Sequence, residues 1–82
     1  MALTFQHRVE KVRRSIPRED WGRLIERLER IAGDPYGQHP DAKRRTDGTF
    51  QVRHGTWRAV YRVIGQDVVV IHVAHRREVN RP

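Results

Sequence analysis

The hydrophobic period changes once along this chain of 82 residues, and that change restricts it to a mixed architecture. Phe5, Val9, Val12 and Ile16 fall at i, i+4, i+7 and i+11, one face of a helix. Trp21, Leu24, Ile25, Leu28, Ile31 and Ala32 make a second stripe of the same kind. Pro17 stands where the second helix begins, a place where its missing N–H costs nothing, and Glu19 and Asp20 follow in the first turn, where carboxylates suit the helix dipole. Gly33 and Pro35 end that helix. From Phe50 onward the period is two. Phe50 and Val52 alternate with Gln51 and Arg53, and Trp57, Ala59, Tyr61 and Val63 alternate with Arg58, Val60, Arg62 and Ile64. Val68 to Ala74 is a nearly continuous apolar run, and His54-Gly55 and Gly65-Gln66 mark the turns. These segments read as a three-stranded antiparallel meander, with residues 2–5 as a short first strand and residues 33–48 as a connecting loop. The stripes of the helices need a surface to cover, and one face of the sheet supplies it. The expected fold is α+β: a two-helix hairpin packed on a three- to four-stranded, mainly antiparallel sheet, forming a single domain over residues 1–82.

A domain of this size buries only about 60% of its unfolded surface, so a partner helps to hold it together. There is no Cys, which removes disulfides and thiolate metal sites and suits a reducing cytoplasm. The start lacks the apolar run of a signal peptide. The longest unbroken apolar run is four residues, against roughly 20 for a membrane helix. The expectation is a cytoplasmic protein with no membrane partner.

The net charge of +7 points to a polyanionic partner, nucleic acid or an acidic protein. All the basic residues but Lys11 and Lys43 are Arg, which grips phosphate through a planar fork, although a GC-rich genome would give the same bias. The second half is the more basic: residues 39–82 carry nine basic and four acidic side chains, against eight and six in residues 1–38. If Phe50, Val52, Trp57, Ala59 and Tyr61 face the helices, Gln51, Arg53 and Arg58 share the other face, with Arg76 joining them if no bulge intervenes. Lys43, Arg44 and Arg45 would rim that face, and Arg77 and Arg81 would extend it. Such a face suits a phosphodiester backbone, but charged residues on strands also form ordinary solvated faces. The ending "VAHRREVNRP" is open in the same way, either a solvated tail or a phosphate site at the end of the sheet.

Several chemistries fall away. Ser15 is the only serine, so a Ser-His-Asp hydrolase is not expected. His72 and His75, three apart on a strand, point to opposite faces and make a poor metal pair. No metal and no cofactor is expected. What survives is attack of an RNA 2′-hydroxyl on its own phosphate. Arg can stabilise the charge of that reaction but is a poor base, whereas His can move protons near neutral pH. His75, next to Arg76, is the natural candidate, and His54 and His72 are less well placed.

The stretch "FQVRHGTWRAVYRVIGQDVVVIHVAHRREVN" resembles the core of RelE/ParE-superfamily toxins, which carry an aromatic-basic-apolar-basic strand, a "G-aromatic-R-apolar-apolar-Y" strand, a valine-rich strand and an "HRREVY" ending. "RSIPRED" and "AGDPY" also fit that family's helical hairpin and its "DP" loop. The resemblance covers nearly the whole chain. It implies a β-α-α-β-β-β fold and one half of a type II toxin–antitoxin pair, neutralised by a cognate antitoxin. RelE-like members are metal-independent ribonucleases that cut mRNA in the ribosomal A site. On that resemblance Arg53 matches a basic position of the active strand, Arg58 the arginine on the scissile phosphate, Arg76 an acid or phosphate stabiliser, and His75 the histidine of "HRRE". Gln51 stands where a basic residue is common, and Asn80 stands where the ending usually has a catalytic Tyr; Asn can orient a substrate but cannot act as an acid. Two alternatives stay open: a non-catalytic ParE-like toxin acting on DNA gyrase, and a basic nucleic-acid-binding module.

Overall fold

The computed structural model describes residues 2–75. The chain runs β1 (Leu3–Phe5), α1 (His7–Arg13), α2 (Arg18–Gly33), β2 (Ala42–Arg44), β3 (Phe50–His54), β4 (Trp57–Ile64) and β5 (Asp67–His75). The strands form one sheet in the order β1-β5-β4-β3-β2. The meander β3-β4-β5 is antiparallel as expected, while β1 returns beside β5 in parallel, Leu3 opposite Val68 and Phe5 opposite Val70. Ala2 fixes that edge, its N–H donating to Asp67 Oδ1 at 3.0 Å.

The expected three to four strands become five, because β2 lies inside the segment read as a loop. Its residues, Ala-Lys-Arg, are too few to show a period, and backbone pairing to β3 rather than side-chain pattern makes them a strand. The turn that brings them back is local. Asp47 accepts both the N–H and the hydroxyl of Thr49, and Gly48 takes φ +87°. The two hairpin turns of the meander use Gly55 (φ +58°) and Gly65 (φ +63°), where a side chain would be strained.

The helices cover one face. α1 ends after seven residues, and the Ser15 hydroxyl turns back to the Val12 carbonyl at 2.7 Å. Pro17 sits one residue outside α2 and caps it through its carbonyl, which accepts from Trp21 N–H at 2.9 Å. α1 packs on β5, and α2 crosses the sheet over β3. Val9, Leu24 and Leu28 are fully buried against Val52, Tyr61, Val68, Val70 and Val73. The helix stripes and the helix-facing positions of the meander therefore make one core.

The alternation of β5 is broken once. Val60 pairs with His72 but Tyr61 pairs with Val70, so Ile71 has no Cα partner on β4. This bulge is what lets Val68, Val70 and Val73 all face the helices.

Candidate functional site

The sheet face opposite the helices carries the arginines. On β3, Val52 is buried under α2 while Gln51 and Arg53 point away from it. On β4 the same alternation turns Arg58, Val60 and Arg62 outward. Arg53 and Arg58 are direct cross-strand partners. Such pairs have Cβ atoms about 4.5 to 5.5 Å apart, and like charges at that spacing are destabilising unless an anion lies between them. Arg58 Nε is buried and meets no hydrogen-bond acceptor among the described residues. A buried donor without an acceptor costs free energy.

Beside this pair is a polar cleft of about 280 Å³ lined by Arg27, Pro40, Asp41, Lys43, Gln51 and Arg53. Lys43 pairs with Gln51 across β2 and β3, which continues the arginine face to the sheet edge. Arg27 reaches the cleft from α2 and is tied to Asp41 at 2.6 Å. Neither residue stands out in the sequence: Arg27 is off the apolar stripe and Asp41 lies in a polar loop, and only the packing of α2 brings them together.

The other expected basic residues disperse. Arg44 lines a second cavity of about 290 Å³ with Pro35, Tyr36, Phe50, Tyr61 and Val63, on the helix side. Arg45 belongs to the β2–β3 turn, where its N–H donates to the Thr49 carbonyl at 2.7 Å. Strand alternation and the turn therefore split the Lys43–Arg45 cluster. Arg76, Arg77, Asn80 and Arg81 lie outside the described residues.

The histidines separate by face. His54 lies on the helix side, with Nε2 3.7 Å from Asp20 Oδ1. His75 pairs with Trp57 and meets its ring edge-on at 5.3 Å, also on the helix side. His72 is exposed on the arginine face, so His72 and His75 do point to opposite faces. Burial pushes the Tyr61 hydroxyl up to about 12, which keeps it neutral in the core. Hydrogen bonds from Thr49 hold the Asp47 carboxyl below its ordinary value. Among the described residues no helix is long and apolar enough to cross a membrane.

Three solved structures share this architecture. The toxin–antitoxin complex RelBE2 from Mycobacterium tuberculosis matches with TM-score 0.73 and 25% identity, over 92% of this chain and 96% of that one. The RelB–RelE antitoxin–toxin complex from Methanococcus jannaschii matches with TM-score 0.77 and 18% identity, over 93% of both chains. The archaeal RelE–RelB complex from Pyrococcus horikoshii OT3 matches with TM-score 0.72 and 17% identity, over 92% and 93%. No curated protein matches by sequence. The family described as the ParE toxin of the type II toxin–antitoxin system, parDE, matches residues 2–80. With this match over nearly its whole length and the two-helix, five-strand fold beneath it, the chain belongs to the ParE toxin family and is a RelE/ParE-superfamily toxin of a type II toxin–antitoxin system.

Proposed function

We propose that this toxin is a metal-independent endoribonuclease that binds mRNA, in the ribosomal A site, on the sheet face opposite the helices. The observation that carries the reading is the Arg53–Arg58 pair: two arginines directly opposite each other across β3 and β4, one with its Nε buried and without an acceptor among the described residues. A scissile phosphate between them supplies the missing acceptor and relieves the repulsion. As charge builds on the phosphorane, both arginines stabilise it more than they stabilise the ground state. Lys43 and Gln51 line the cleft that continues from the pair and hold the neighbouring nucleotide. The family resemblance adds Arg76 as a further phosphate stabiliser and Asn80 as an orienting group. A cognate antitoxin would oppose this activity by covering the same basic surface, as befits a toxin whose structural relatives were solved as RelB–RelE complexes.

The test is primer extension on mRNA in a ribosome-programmed translation extract with purified toxin. Discrete cuts at codon positions are expected. The ParE family match and Gln51, a neutral residue in mid-strand where a base is common, favour a second reading: a toxin that inhibits gyrase without cutting RNA. Loss of gyrase supercoiling activity with intact mRNA would establish that reading against the first.

A further inference from the structure

The bulge in β5 decides which histidine reaches the arginine face. Strict alternation from the buried Val68 and Val70 would send His72 into the core and turn Val73 out. The unpaired Ile71 reverses this: Val73 is buried and His72 is exposed. His72 stands opposite Val60 and diagonal to Arg58 on β4, a Cβ separation of about 7 to 8 Å. Val60 is buried and short, so the floor between the imidazole and the guanidinium is apolar and low. His72 makes no hydrogen bond or ion pair with a described residue. The charged groups that share its face from β4 are Arg58 and Arg62; β1 contributes only Leu3, Thr4 and Phe5. His54 and His75 are engaged on the far side with Asp20 and Trp57.

We propose that His72 is the general base of the cleavage step, an assignment that rests on the reading of the arginine face as the RNA site. The imidazole takes the proton of the ribose 2′-hydroxyl, and the 2′-oxygen bonds to the adjacent phosphorus. The bond from phosphorus to the 5′-oxygen breaks, and that oxygen leaves with a proton drawn from water. The products are a 2′,3′-cyclic phosphate and a free 5′-hydroxyl, and the imidazolium returns its proton to solvent. Arg58, diagonal to His72, and Arg53 beyond it hold the phosphate at the distance of one ribose.

Two measurements on the intact chain test this. The first is the pH–rate profile of single-turnover cleavage by wild type and by His72→Gln. The wild-type rate is expected to show a limb that rises with pH, as general-base catalysis requires. His72→Gln is expected to be about 10² to 10⁴ times slower, with that limb flattened. The second is histidine NMR during titration with a 2′-O-methyl RNA trinucleotide, which lacks the nucleophile and cannot be cut; the His72 resonance is expected to move. Wild-type cleavage left unchanged by His72→Gln, or a His75 shift with His72 fixed, overturns the assignment and leaves the RNA reading standing. No RNA binding and no cleavage by wild type removes both.

Discussion

The two faces of the sheet use the same alternating strands for opposite purposes. The helix-side face is filled by Val52, Tyr61, Val68, Val70 and Val73, each almost completely buried under Val9, Leu24 and Leu28. The other face sets Arg53 directly against Arg58 and leaves Arg58 Nε buried without an acceptor among the described residues. The first arrangement lowers the free energy of folding, whereas the second raises it. A strand that tolerates such a pair on one side must draw its stability from the other, and this is a common arrangement for a site held ready for a ligand.

Substitutions on the two faces should therefore separate stability from activity. The largest effect belongs to the covered face: Leu28→Ala should cost about 2 to 5 kcal/mol in urea unfolding, a large share of the 5 to 15 kcal/mol typical of whole domains. A loss below about 1 kcal/mol would mean that α2 contributes little to the core. On the arginine face, Arg53→Ala should weaken binding of a non-cleavable RNA and reduce the slope of log affinity against log salt by about 1, with stability within about 0.5 kcal/mol of wild type. An unchanged slope would remove Arg53 from the phosphate contacts.

Two pH effects sharpen the contrast at lower amplitude. Tyr61 is pushed from 10.0 to about 12 by burial, so its contribution is complete below about pH 10 and is lost as pH rises toward 12. The unfolding midpoint should fall over that range, and the fall should be smaller in Tyr61→Phe. Asp47, lowered by its hydrogen bonds from Thr49, works in the opposite sense: its contribution is present above its ordinary 3.8 and is lost as pH falls further. Asp47→Ala should give the smallest change, a slight lowering of stability at neutral pH measured by thermal melting, without effect on RNA binding.

The contrast between the faces was half legible in the sequence. The period of two in β3 and β4 separates Arg53 and Arg58 from Val52 and Ala59 without any structure, and the structure keeps that division. The facing of β5 was not legible, because a nearly unbroken run of valine and isoleucine carries no period from which to read a face. The bulge at Ile71 therefore left no sequence signal, and which of His72 and His75 shares the arginines' face could not be read from spacing. β2 was missed for a related reason: three residues at a sheet edge show no pattern, and only the Asp47-Gly48 turn signal hints at a hairpin. Arg27 and Asp41, 14 residues apart, meet only after α2 has packed.

If the arginine face serves function at the expense of stability, Arg58 is where the trade shows most directly. Cleavage of ribosome-bound mRNA and the urea unfolding midpoint should be measured on the same preparation of Arg58→Ala. Cleavage should fall by about 10² to 10³, with a midpoint equal to or above that of wild type. Wild-type cleavage, or a variant that loses activity only because it unfolds, would contradict it.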